Sequence, residues 1–277
     1  MARLPGMIAR RVLEERELRR LSRMRLRDTG HGYDPLGLSP DWVAMASGLF
    51  RPLYERYFRV VSQGAENIPA EGAAILAANH SGMLPIDGVM IYMDVLRKTH
   101  PPRVLRVVGD LFIPRLPFIS TFFARTGVVA GSRGNFRHLL VEGELLLVFP
   151  EGTPGIGKGY RRRYELQRFR VGHAELAIRH RVPVVPVAVI GAEEVLMQIA
   201  RVEAKLFGIP YLPIPLLPFP LPARIHLRYG EPMHLYEGTK PEDADDPVLL
   251  EAAAARVKEA VGALLEQGLA EREGVFK

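Results

Sequence analysis

The amino-acid sequence predicts an α/β protein: a largely parallel central sheet of about seven strands, flanked by helices and preceded by an N-terminal two-helix element. From Phe58 onward, short β-branched and apolar runs alternate with helical stretches, as in parallel sheets covered on both faces. The 277 residues are enough for one large domain of this kind. Hydrophobic residues make up 48% of the chain and charged residues 25%, which excludes a disordered or collagen-like protein.

The first 57 residues predict two helices. Residues 7–27 carry apolar side chains at a rough helical period among many arginines and glutamates, which predicts an amphipathic helix with a basic face. A second helix, rich in aromatic residues, is predicted from about Trp42 to Tyr57. We therefore divide the chain into an N-terminal amphipathic helical element, residues 1–57, and a main domain, residues 58–277.

Seven segments predict the strands of the main domain, in the order RVVSQG, AAILAANH, VLRVVGD, TGVVAG, LLLVFPEG, VPVVPVAVIG and RIHLRYG. Helices are predicted at about 87–97, 135–142, 172–180 and 192–207, with a closing helix over about 247–272. Because proline cannot donate a backbone hydrogen bond, Pro183 and Pro186 predict that the sixth strand is an edge strand or carries a bulge.

Composition excludes several kinds of chemistry. The chain has no cysteine, so disulfides, thiolate catalysis and cysteine-ligated zinc are excluded, and the scattered histidines predict no metal site. The net charge of +6 suits nucleic acid, anionic lipid or a polyanionic cofactor equally well. No nucleic-acid motif is present, so no nucleic-acid partner is predicted. With no run long enough to span a bilayer and no apolar leader, we expect a peripheral protein on the cytoplasmic face of the membrane.

The segment AAILAANHSGMLPIDG, residues 73–88, carries the first candidate catalytic group. His80 follows a buried-type strand, and Asp87 opens the next predicted helix. A histidine at such a strand end can take a proton from an alcohol when a carboxylate supports the charge that the ring gains. For this segment alone, a hydrogen-bonded structural histidine is the alternative interpretation.

Two further segments carry candidate binding groups. Gly131 and Gly134 flank Arg133 in TGVVAGSRGNF, a placement that suits contact with phosphate; a surface arginine on a turn is the alternative. In LLLVFPEGTPG, Glu151 precedes Gly152 and Thr153, whose amide and hydroxyl groups suit an oxyanion or phosphate; a plain strand-to-loop turn is the alternative. Glu151 itself cannot bind an anion, so it either bonds substrate hydroxyls or orients the loop.

The order of four segments, NHSGMLPID, GVVAGSR, VFPEGT and VPVVPV, resembles the phospholipid/glycerol acyltransferase family, which includes the 1-acylglycerol-3-phosphate acyltransferases. The resemblance covers about residues 60–232, and it implies that His80 and Asp87 are catalytic. It also implies that the acceptor is bound by Arg133, Glu151, Gly152 and Thr153. Two positions depart from the family pattern: six residues rather than four separate His80 from Asp87, and Pro154 stands where a basic residue often follows the threonine.

The function that the resemblance implies is transfer of a fatty acyl group from a thioester to a hydroxyl of lysophosphatidic acid or a related lysophospholipid, with His80 as general base and no covalent intermediate. Acyl-coenzyme A or acyl carrier protein would be the co-substrate, with no permanently bound cofactor. A neutral or glycosylated lipid acceptor and a non-catalytic membrane-binding protein are the alternatives. Two apolar stretches, residues 111–125 and 206–223, are expected to face the membrane or cover the acyl chain; packing of these stretches over the sheet is the alternative.

Overall fold

The computed structural model describes residues 4–81, 85–109, 119–202 and 212–277. The helices are α1 to α10, and the strands are β1 to β9. The helices span Leu4–Val12, Glu15–Leu21, Pro40–Pro52, Ile86–Lys98, Ile119–Thr126, Arg133–Val141, Thr153–Ile156, Gly172–His180, Ala192–Val195 and Pro247–Glu271. The strands span Val61–Gln63, Ala74–Ala78, Leu105–Gly109, Val129–Ala130, Leu145–Val148, Val184–Ile190, Gln198–Val202, Leu212–Pro215 and His226–Tyr229.

Seven strands form one sheet in the order β1-β9-β6-β2-β5-β3-β4. Neighbouring strands are parallel except for β6 and β9, which are antiparallel. The prediction of a largely parallel sheet of about seven strands flanked by helices is therefore confirmed. The remaining strands, β7 and β8, form a separate antiparallel hairpin.

Burial on both faces explains why the central strands are continuously apolar. In β2, Ala74, Leu76 and Ala78 pack into one core with α4, while Ile75 and Ala77 pack into another with α6, α8 and α10. Successive side chains of a strand point to opposite faces, and in a parallel sheet covered on both sides each face needs apolar residues. The sheet is thus the middle layer between two layers of helices.

The N-terminal segment differs from the predicted pair of helices. It forms three, because the first predicted helix is interrupted at Glu14, whose backbone is extended. Because of this interruption, Leu13 and Leu21 both pack into the core that contains α4. Helix α1 packs closely on α3, where a side chain at Gly48 would collide with Val12. The division of the chain at residue 57 stays a prediction.

The prediction of a helix over 192–207 is wrong for residues 196–202, and residues 203–207 lie outside the described part of the chain. Leu196 is extended, and β7 begins two residues later and pairs with β8. Helix propensity is a weak preference, and a hairpin partner that satisfies the same backbone groups overrides it. Part of each predicted apolar stretch, residues 111–118 and 206–211, lies outside the described residues. The remaining parts include α5 and β8.

The sixth strand is not an edge strand: β6 lies between β9 and β2. Val187 is opposite Tyr229 and Val184 is bridged to Met233, so between these pairings β6 advances three residues and its neighbour four. Pro186 lies at this irregular point, where its carbonyl accepts a hydrogen bond from Gly230. The missing N–H of Pro186 therefore falls where regular pairing is already interrupted.

Candidate active site

The candidate residues follow strands that end at one edge of the sheet. Because β2, β4, β5 and β6 run parallel, the segments after their carboxyl ends share that edge, which is where α/β proteins commonly bind ligands. His80 follows β2, Arg133 follows β4 and Glu151 follows β5. The buried Glu193 follows β6.

Asn79 sets the end of β2. Its buried side-chain amide donates to the carbonyl of Val189 at 3.0 Å and accepts from the amide of the same residue at 2.7 Å. The side chain thus extends the pairing of β2 with β6 beyond their last backbone pair, Ala78 and Val187. This arrangement fixes the point at which the chain leaves the sheet, one residue before His80.

His80 and Asp87 are in direct contact despite the six residues between them. Nδ1 of His80 lies 2.7 Å from Oδ2 of Asp87, a carboxylate with no solvent exposure in the first turn of α4. The same oxygen accepts from the amide of Ser81 at 2.8 Å, and Oδ1 accepts from the amide of Gly88 at 2.7 Å. The start of a helix also favours a negative charge. The longer spacing between the two residues therefore does not keep Asp87 from contacting His80.

The contact with Asp87 determines what the His80 ring can do. A carboxylate oxygen accepts, so Nδ1–H donates to it, which leaves Nε2 as the proton acceptor. The hydrogen bond that the His80 ring makes to the described residues is through Nδ1. The ring also stacks on Phe149, with centroids 4.1 Å apart and planes 17° apart. A histidine oriented in this way has the geometry of a general base.

Glu151 holds the backbone of His80. Its Oε1 accepts from the amide of His80 at 2.9 Å, and its Oε2 accepts from the amide of Gln167 at 2.8 Å. The side chain has no solvent exposure, and Lys158 Nζ lies 3.4 Å from Oε2. Of the two roles open to Glu151 from the sequence, this geometry favours orienting the loop over bonding substrate.

The glycines after Glu151 have distinct roles. Gly152 is left-handed, with φ of 59°, and its amide donates to the carbonyl of Phe149 at 2.9 Å, so that donor is used within the turn. A Cβ on Gly155 would lie 2.8 Å from Cβ of Glu151 and 3.1 Å from Cβ of His80. A larger residue there would separate the two groups. Thr153 begins α7, and its side chain lies outside the described part.

Arg133 stands apart from this cluster. It is the first residue of α6, its side chain is 93% exposed, and its guanidinium lies 4.0 Å from Glu175. Arg170 is a basic residue that the sequence reasoning missed. Its amide donates to the carbonyl of Pro150 at 2.9 Å, and its guanidinium lies about 3 Å from where a Cβ on Gly152 would be. No spacing pattern marked Arg170, because the residue is brought beside the turn by tertiary contacts.

A second buried carboxylate lies beside Glu151. Lys158 Nζ donates to Oε1 of Glu193 at 3.2 Å, and Oε2 of Glu193 accepts from the amide of Tyr164 at 3.2 Å. Burial raises the pKa of Glu193 to about 7, against the opposing effect of the Lys158 ammonium. The sequence offered no signal for this group, since a glutamate pair after a strand is common on surfaces.

Comparisons with known proteins agree with the fold and the motif order. The profile of a family described as acyltransferase matches residues 59–190. An uncharacterised protein of Mycobacterium tuberculosis is 37% identical over 268 residues, which cover 91% of this chain and 74% of that protein. A human protein described as a DGAT1/2-independent enzyme synthesizing storage lipids is 27% identical over 218 residues, 74% of this chain and 60% of that protein.

A solved structure shares the architecture. The crystal structure of the 1-acyl-sn-glycerophosphate acyltransferase of Thermotoga maritima superposes with a TM-score of 0.58 and covers 98% of this chain and 97% of its own. The two sequences are 17% identical, so this likeness establishes the fold.

The raised pKa of Glu193 predicts a pH-dependent stability difference. Between about pH 4.5 and 7 the folded protein binds a proton that the unfolded chain has released, so this group stabilises the fold at low pH and ceases to do so as pH rises through about 7. Glutamine at position 193 carries no titrating proton. The free energy of unfolding of Glu193→Gln should therefore rise relative to that of wild type by on the order of 2 kcal/mol between pH 5 and pH 8. Urea unfolding at both pH values measures this difference. Glu237→Gln, at an exposed carboxylate, is the control, and its stability relative to wild type should be the same at both pH values. The prediction is contradicted if the stability of Glu193→Gln relative to wild type is also the same at both pH values.

Proposed function

The chain belongs to the acyltransferase family, and from this premise we propose that it moves a fatty acyl group from a thioester to a hydroxyl of a glycerolipid. The proposed acceptor is lysophosphatidic acid or a related lysophospholipid, and the proposed donor is acyl-coenzyme A or an acyl carrier protein. The observation that carries the proposal is the His80–Asp87 contact at 2.7 Å, which leaves Nε2 as a proton acceptor. The resemblance in motif order and the name of the Thermotoga maritima neighbour support the choice of acceptor.

The chemistry is a direct attack. Nε2 of His80 takes the proton of the acceptor hydroxyl while its oxygen forms a bond with the thioester carbonyl carbon. The carbon–sulfur bond of the resulting tetrahedral intermediate then breaks, and the imidazolium returns its proton to the departing thiolate. Asp87 stabilises the imidazolium in between, and such proton transfer contributes about 10²- to 10⁴-fold to the rate. No acyl-enzyme is required, which agrees with a chain that contains no cysteine.

A cavity lies beside the start of α6, and neither Arg133 nor His80 is among its lining residues. Its volume is about 430 Å³, and α5, β4 and the first turn of α6 line it, with Phe123, Val129 and Asn135 among the lining residues. The walls are mixed in polarity, as suits a lipid with a polar head. Arg133 and Arg170 are both exposed at this edge of the sheet, and a guanidinium can make paired hydrogen bonds to a phosphate.

A neutral or glycosylated lipid is the second candidate acceptor. Two observations favour it: Pro154 replaces the basic residue that often follows the threonine, and the human relative is named for synthesis of storage lipids. The chemistry at His80 would be the same, and only the acceptor's head group would differ. A non-catalytic, membrane-binding role for the same fold makes no use of the His80–Asp87 geometry.

We further propose that the protein acts on the cytoplasmic face of a membrane as a peripheral protein. No helix in the described ranges is long and apolar enough to cross a bilayer. Helix α1 carries exposed Leu4 and Met7 beside arginines. The β7–β8 hairpin and the chain after it expose Ile199, Leu216 and Phe219 at 61%, 53% and 58%. Exposed apolar groups and basic side chains together favour binding to an anionic lipid surface.

Removal of the proposed base should abolish transfer. We expect His80→Ala to lower the rate of acyl transfer from palmitoyl-coenzyme A by 10²- to 10⁴-fold with every acceptor that wild type uses. The measurement is transfer of a radiolabelled acyl chain to a panel of lysophosphatidic acid, other lysophospholipids and diacylglycerol. His138→Ala, an exposed histidine on α6, is the matched control and should retain full activity. Equal rates for wild type and His80→Ala would reject His80 as the base.

Charge reversal at Arg133 should separate the two acceptor classes. If the acceptor carries a phosphate, Arg133→Glu should abolish its use, because a carboxylate then repels the phosphate, and transfer to a neutral acceptor should be spared. Arg137→Glu makes the same charge change one turn along the same helix and serves as the control. The same transfer assay measures both variants. Undiminished use of lysophosphatidic acid by Arg133→Glu would contradict phosphate binding by this residue.

The exposed apolar patch after β8 should contribute to vesicle binding. Leu216→Asp with Phe219→Asp removes two large apolar side chains, each worth about 2 kcal/mol when buried, so the protein should sediment at least tenfold less with anionic vesicles. Val248→Asp, at another exposed apolar residue, is the control. Added salt should weaken vesicle binding by the wild-type protein, because salt screens the attraction between its basic residues and anionic lipid. Unchanged sedimentation of the double variant would show that this patch does not touch lipid.

A further inference from the structure

A lysine is buried beside the candidate active site. The Lys158 side chain is 2% exposed, and its Nζ lies 3.4 Å from Oε2 of Glu151 and 3.2 Å from Oε1 of Glu193. An ammonium is costly to bury unless carboxylates surround it. Here one ammonium is shared by two buried carboxylates from segments that follow β5 and β6.

The contacts of these two carboxylates lead to the reacting histidine. Glu151 accepts from the backbone amide of His80 with Oε1 and from that of Gln167 with Oε2. Glu193 accepts from the backbone amide of Tyr164. Lys158 therefore connects the segments after β2, β5 and β6 with the chain around residues 164–167.

We propose that Lys158 is a positioning residue for acyl transfer: its ammonium holds the Glu151 carboxylate where it accepts from the His80 amide. This inference rests on the proposed function and names a residue that acts through Glu151 without touching substrate. His80 is held twice, at its ring by Asp87 and at its backbone by Glu151. Lys158 governs the second of these contacts.

Lys158 stabilises the position of Glu151 in two ways: its ammonium neutralises a carboxylate that has no solvent exposure, and it screens the repulsion between Glu151 and Glu193. Without the ammonium, the carboxylates of Glu151 and Glu193 face each other in a poorly solvated space, and like charges there repel strongly. Either Glu151 moves away or one carboxylate takes up a proton. Movement of Glu151 would release the His80 amide and let the imidazole shift relative to the acceptor hydroxyl, and misplacement by about 1 Å can cost on the order of 10²-fold in rate.

The test compares Lys158→Met with wild type in two measurements. The first is acyl transfer with the best acceptor, where we expect kcat per folded molecule to fall at least tenfold while KM changes less than twofold. The second is hydrogen–deuterium exchange of the His80 amide in protein labelled with [15N]histidine, where we expect exchange at least tenfold faster while core amides stay protected. Lys98→Met, at an exposed lysine on α4, is the control and should change neither.

A double variant keeps the proposal testable if Lys158→Met does not fold. Lys158→Met with Glu193→Gln removes the ammonium together with one of the carboxylates that it neutralises, so less repulsion remains. Glu193→Gln alone keeps the Lys158–Glu151 pair and should keep the His80 amide protected. In the double variant Glu151 is still a buried carboxylate that has lost its ammonium, which is strongly destabilising, so Glu151 should turn away and the His80 amide should lose its protection.

The two measurements separate this inference from the proposed function. Unchanged protection of the His80 amide in the Lys158 variants would overturn the positioning role, whatever the activity. A fall in kcat that only matches the loss of folded protein would also overturn it. Absence of acyl transfer in wild type would reject the proposed function, and the amide exchange would still report whether Lys158 holds the backbone of His80.

Discussion

The carboxylate of Asp87 has no solvent exposure, and its need for hydrogen-bond donors organises the segment after β2. The amides of Ser81 and Gly88 and the ring of His80 all donate to it. A buried carboxylate that lost these donors would be strongly destabilising, so the fold holds the histidine ring in one orientation. Everything that we propose for the chemistry depends on this contact, because it decides which ring nitrogen accepts a proton.

Glu151 makes the matching contact from the neighbouring strand. It follows β5, which pairs directly with β2, and it accepts from the backbone of the residue whose ring Asp87 holds. Gly155 has no side chain and therefore lets this carboxylate approach His80 closely. A parallel sheet brings such groups together because the carboxyl ends of adjacent strands lie at one edge, and Asn79 sets the end of β2 by bonding to β6.

The main strands could be predicted from the sequence because burial on both faces leaves a local signal, as the five buried residues of β2 illustrate. The β7–β8 hairpin left no such signal, since its pairing joins segments about ten residues apart and its residues are partly exposed. In the site, His80 and Glu151 stood in recognisable motifs. Whether Asp87 reaches His80 depended on the path of a loop, and the role of Lys158 depended on two carboxylates distant in sequence.

The most direct test of the central claim is the protonation of the His80 ring, observed by 15N NMR at neutral pH in protein with labelled histidine. The account predicts a proton on Nδ1, bonded to Asp87, and a bare Nε2 ready to accept the proton of a hydroxyl. The Nδ1–H signal should change in Asp87→Ala and persist in His138→Ala. A proton on Nε2 in the wild-type protein would contradict the account, because the nitrogen that must act as base would then already be occupied.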